Sequence, residues 1–140
     1  MENYKTEIKV NCSSNKLFNA ITKELSNWWC KQDSIGINLG DIFTVSWGEP
    51  WYKFKVIECI ENKQLVWRCI DANQKIEGLN NIEKEWVGTK IHWSIVETSI
   101  DKCILDFTHE GLNSSLLCFN FCSKTWSHFL NNSLVKYVEE

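Results

Sequence analysis

Proline is almost absent from this sequence. Pro50 is the single one, and the six glycines fall where turns are expected. No proline-rich linker, repeat or low-complexity tract divides the chain. The 140 residues read as one domain, 1–140, able to bury about two thirds of the extended-chain surface. An excess of positive charge is also missing. Fifteen Lys and Arg against 18 Asp and Glu leave a net charge of −3, which offers no basic face to nucleic acid or an anionic membrane. No apolar run approaches the roughly 18 residues of a membrane span. The start, Met1-Glu2-Asn3-Tyr4-Lys5, is polar and alternating and lacks the apolar stretch of a secretory signal.

Signatures of enzyme chemistry are missing too. There is no G-x-S-x-G, no H-E-x-x-H, no C-x-x-C and no glycine-rich phosphate loop. Asp106, Glu110 and the Glu83/Glu85 pair do not read as a general acid and base, so no catalytic residue is assigned. The seven cysteines are scattered at 12, 30, 59, 69, 103, 118 and 122. An odd, scattered set without an export signal reads as reduced thiols used as small core residues in a cytoplasmic protein. Cys118 and Cys122 are neighbours on a helix. No second close Cys/His pair completes a four-ligand zinc site, so neither a metal nor another cofactor is expected.

What the sequence has in abundance is tryptophan, eight in all, together with clear periodicity. Tyr4, Thr6, Ile8 and Val10 alternate with Lys5, Glu7 and Lys9, which predicts a half-buried strand. Ser13 or Ser14 can cap a helix whose stripe is Leu17, Phe18, Ile21 and Leu25, ending at Trp28-Trp29. From Gly40 the period changes to two. Strands are predicted around 42–47, 51–60, 64–70, 83–98 and 102–110, with a loop over 71–81 and Gly88 as a bulge or kink. Residues 114–137 read as one long helix. With Trp126 at the centre of its face, Phe119, Cys122, Phe129, Leu130, Ser133 and Tyr137 fall within about 60° at about 100° per residue. Leu117, Phe121 and Val135 point the other way, an apolar line that predicts a homodimer or partner face. Short turns between strands imply an antiparallel sheet, with the helices on one side in an α+β layout.

Several motifs in this order carry a resemblance. They are Phe18-x-Ala20-Ile21-Thr22 before Trp28-Trp29, Gly40-x-x-Phe43, Leu65-Val66-Trp67 and Glu85-Trp86-x-Gly88-Thr89 before Trp93. His109-x-Gly111-Leu112 and Trp126-x-x-Phe129-Leu130 with Ser133-Leu134 complete the set. Together they resemble the Hsp90-ATPase-activator-like branch of the START/Bet v 1 superfamily. That resemblance implies a helix-grip fold: a curved antiparallel sheet wrapped around a long C-terminal helix, with two short N-terminal helices and a cavity between sheet and helix. The eukaryotic activators carry a further domain that contacts Hsp90. This chain has no room for it, so the resemblance by itself does not imply a chaperone partner.

Within such a cavity, strand parity puts Cys103, Leu105, Phe107 and His109 on one face, and Ile91 and Trp93 on the matching face of the strand before. The expected ligand-binding set is Phe54, Trp67, Trp93, Phe107, His109, Cys122 and Trp126. Converging aromatics with few charges suit a small apolar or amphipathic molecule, with His109 at the mouth able both to donate and to accept. Two alternatives stand beside this expectation. One is a protein-interaction or chaperone-associated stress module without a ligand. The other is a cyclase- or hydratase-type enzyme using His109.

Overall fold

A computed structural model describes all 140 residues, Met1–Glu140. The first strand, β1 (Tyr4–Val10), buries Ile8 and Val10 and exposes Lys5, Glu7 and Lys9, as its alternation predicts. Ser13 then caps α1 (Ser14–Thr22), its hydroxyl accepting the Lys16 N–H at 3.1 Å. The helix stops before Leu25. That residue lies in a 3-10 turn (Leu25–Asn27), so one α-helix and a turn stand where two short helices are expected. The turn carries Trp28 and Trp29 under the sheet, where both are buried.

The remaining strands are β2 (Lys31–Gln32), β3 (Ile42–Ser46), β4 (Trp51–Ile60), β5 (Gln64–Asn73), β6 (Lys90–Ser99) and β7 (Lys102–Glu110). They form one antiparallel sheet in the order β1-β7-β6-β5-β4-β3-β2. β1 pairs with β7 across the chain, Tyr4 opposite His109 and Val10 opposite Cys103. The sheet curls into a half-barrel, and its concave face packs on α1 and the C-terminal helix.

Two expectations are corrected here. The strand expected from Glu83 begins only at Lys90, while β5 runs on to Asn73. Residues between them form turns because Thr89 closes one on Trp86: its backbone N–H and its hydroxyl both reach the Trp86 carbonyl, at 3.0 and 2.6 Å. The helix expected from Ser114 begins at Phe119. Asn113 holds the preceding residues in a turn, its side-chain oxygen accepting the Ser115 N–H at 3.0 Å.

The C-terminal helix is α-helical as α2 (Phe119–His128), π-helical over Phe129–Leu134, and α-helical again as α3 (Val135–Glu139). This decides which face is buried. Cys122, Trp126, Leu130, Leu134 and Val138 recur every four residues, and all are buried. In a uniform α-helix a four-residue repeat drifts about 40° per step. The wider π turn holds more residues per turn and keeps the row on the sheet. Ser133 and Tyr137, which uniform α geometry places on that face, are only partly buried.

Candidate functional site

The seven residues of the expected ligand-binding set lie in one buried cluster, but only two of them line a cavity. Phe54 meets Trp67 (ring centroids 5.1 Å apart), Trp67 meets Trp93 (5.2 Å), and Trp93 meets Phe107 (4.8 Å). Phe107 meets Trp126 on the helix (4.6 Å), and Trp126 touches His109. Cys122 lies one turn before Trp126 on the same buried row. Most of this chain is solid aromatic core. Phe54, Trp67, Trp93, Phe107 and His109 lie behind the walls of an apolar cavity, and only Cys122 and Trp126 reach its wall.

That cavity has a volume of 280 Å³ and opens between α2, the β3–β4 turn and the β5–β6 connection. Its walls are Trp29, Trp47, Pro50, Tyr52, Ile76, Trp86, Phe121, Cys122, Trp126 and Phe129, with Lys75 and Thr125 beside them. Indole planes build its back. Trp29 stacks on Trp126 at 4.9 Å and 30°, Trp86 lies nearly parallel to Trp126 at 5.9 Å and 11°, and Trp47 stands edge-on to Trp29 at 5.4 Å. Strand parity could not find Trp29 or Trp86, because neither sits on a strand. The doublet Trp28-Trp29 and the Glu85-Trp86-x-Gly88-Thr89 motif were the available signals.

His109 lies behind that indole wall. It is buried, and both ring nitrogens are engaged. The Trp126 indole N–H can only donate, so Nδ1 accepts it, at 3.0 Å. The neutral ring's proton therefore sits on Nε2 and is donated to Thr89 Oγ1 at 2.9 Å, whose own proton goes to the Trp86 carbonyl. Burial pushes the His109 pKa down from the ordinary 6.5 to about 3, and the His92 charge adds to this. Gly111 makes the arrangement possible. Its φ is +99°, and a Cβ there would stand 2.7 Å from Thr89 Cγ2. The two glycine motifs, Trp86-x-Gly88-Thr89 and His109-x-Gly111, thus form one polar bolt between the β5–β6 connection, β7 and the helix.

A second buried hub sits at the cavity floor. Gln74 Oε1 accepts the Tyr52 hydroxyl at 2.7 Å and the Cys122 thiol at 3.3 Å, while its amide donates to the Ile82 carbonyl at 3.1 Å. The hydrogen bond with Cys118 and burial push the Cys122 thiol's pKa up, so it stays protonated. Glu85 holds the start of α2, its carboxylate accepting the Leu117 and Cys118 N–H groups at 2.9 and 3.0 Å. The indole N–H groups of Trp67, Trp86 and Trp93 are buried without an acceptor.

The model of the family described as Activator of Hsp90 ATPase homolog 1-like protein matches residues 11–139. The chain belongs to this family. A solved member, the Aha1 dimer from Colwellia psychrerythraea, is 25% identical with a TM-score of 0.78; the match covers 99% of this chain and 97% of that one. A protein from Mesorhizobium loti superposes with a TM-score of 0.74 at 14% identity, over 94% of each chain. One from Bacillus halodurans gives 0.73 at 15%, over 99% of this chain and 98% of that one. The latter two show the shared fold alone. None of the curated proteins matches this sequence. Family and fold together make this a ligand-binding or interaction module of helix-grip architecture. No helix is long and apolar enough to cross a membrane.

Proposed function

We propose that the protein binds a small apolar or amphipathic molecule in the cavity beside α2. The supporting observation is the cavity itself: 280 Å³, walled mainly by aromatic side chains and open at one side. Aromatic walls give a flat ligand large contact area at fixed geometry. The enzyme alternative finds no support at His109, whose two nitrogens are already used inside the core. Isothermal titration calorimetry against small aromatics and fatty acids, together with intrinsic Trp emission, tests the reading. Thr125 faces the cavity, so Thr125→Phe should fill it, leave the melting temperature near wild type and abolish uptake. If no compound binds wild type, the carrier reading fails.

A second reading rests on the outer side of α2 at the cavity's rim, where Phe121 is also a wall residue. Leu117 and Phe121 are 65% and 52% exposed, and Val87 is 42% exposed. Val135, expected on the same line, packs half-buried against the core. We infer self-association through Leu117 and Phe121, in keeping with the dimer of the Colwellia relative. Sedimentation velocity of Phe121→Asp beside wild type tests it. A wild type that is monomeric at every concentration removes the dimer.

A further inference from the structure

The cavity's polar groups are not a balanced set. Tyr52 and Cys122 both give their protons to Gln74 Oε1, and Thr125 gives its own to the Phe121 carbonyl at 2.8 Å. No carboxylate lines the wall, and Lys75 is its only charged residue. Lys75 is loosely held. Its Nζ stands 3.7 Å from Glu83 Oε2, beyond hydrogen-bond distance, with both side chains well exposed. Such a pair is worth little. The Lys75 ammonium is therefore free to serve a guest at the mouth, while its methylene stem can lie along apolar surface. Behind it the near-parallel indoles of Trp86 and Trp126 and the stacked Trp29 present flat apolar walls.

We propose that the cavity selects aromatic carboxylates, with the ring system against the indoles and the carboxylate on Lys75. The proposal rests on the carrier reading above and narrows it to one ligand class. A neutral aromatic would keep the wall contacts and lose the charge-assisted bond. A cationic one would meet Lys75 and find no acidic group in the wall. Glu83, on the same β5–β6 connection, places a negative charge near the guest's carboxylate.

Calorimetry with three naphthalene probes of similar size at pH 7 tests this: 2-naphthoate, 2-naphthalenemethanol and 2-naphthylmethylammonium. Wild type should bind the carboxylate about tenfold more tightly than the alcohol, and the ammonium most weakly. Lys75→Met keeps the apolar stem. It should bring the carboxylate down to the alcohol's affinity and leave the alcohol unchanged. Glu83→Gln should tighten the carboxylate alone. Equal binding of acid and alcohol, or a preference that survives Lys75→Met, overturns the ligand class while the cavity remains a site. Binding of none of the three overturns the class, and the carrier reading falls with it only if the fatty acids fail to bind as well.

Discussion

Trp126 on the C-terminal helix donates its indole N–H to Nδ1 of His109 on β7 across 3.0 Å of buried core. The bond fixes the imidazole tautomer, and through Thr89 it ties the helix to the turn that carries Trp86. It therefore holds two of the cavity's indole walls in place from behind. Replacing His109 with Ala leaves a buried N–H without an acceptor and opens a void. The expected loss is about 2–4 kcal/mol in urea unfolding. A loss below about 1 kcal/mol would show that the bolt is dispensable.

The same residue predicts a pH dependence. Its folded pKa, about 3, lies below the ordinary 6.5. Between these values the unfolded chain binds more protons than the folded one. His109 thus contributes its full stabilisation above about pH 6.5 and loses it as pH falls toward 3. The slope should approach about 1.4 kcal/mol per pH unit. His109→Gln should flatten that part of the curve relative to wild type. Parallel stability curves for the two proteins would refute the assignment.

Gly111 and Gly48 separate conformational strain from collision. Both have positive φ, but a Cβ on Gly48 meets nothing within 4 Å, whereas one on Gly111 meets Thr89 Cγ2 at 2.7 Å. Gly48→Ala should cost about 1 kcal/mol through backbone strain. Gly111→Ala should cost clearly more, because Thr89 must move and His109 with it. Thermal melts of the two variants decide, and equal shifts would remove Thr89 from the account.

Glu85 caps α2 from a distant loop. Glu85→Ala should destabilise by about 1–2 kcal/mol, in the range of lost helix caps. It should also speed amide exchange at Leu117 and Cys118, the two residues just before α2, ahead of the helix itself. Unchanged exchange at those two amides would contradict the cap.

All seven cysteines are free, and only Cys59 is not buried. Thiol titration of the native protein should show one readily reacting group, and titration in denaturant without reductant should approach seven. Fewer than seven in denaturant would reveal a disulfide.

The sequence alone determined most of the strands, the sheet faces and the family, but not β2, the end of β5 or the start of β6. Strict alternation in β1, β6 and β7 leaves one pairing that buries Ile8, Trp93 and Phe107 together, and a slip of one residue would expose them all. Phe54, Trp67, Trp93, Phe107 and Trp126 were legible as one aromatic set for that reason. Periodicity could not reveal the π turn. It follows from packing a four-residue repeat, Cys122 to Val138, along one sheet, and a uniform helical wheel assigns Ser133 and Tyr137 to that face instead. Nor could parity place His109. It gives the face of β7 but not the depth, and depth is set by Trp86, which Thr89 folds over the imidazole from outside the sheet. The cavity belongs to tertiary structure for the same reason. Trp29, Trp47, Ile76, Trp86 and Phe121 come from separate segments, and only the closing of turns and helix over the sheet brings their side chains around one space.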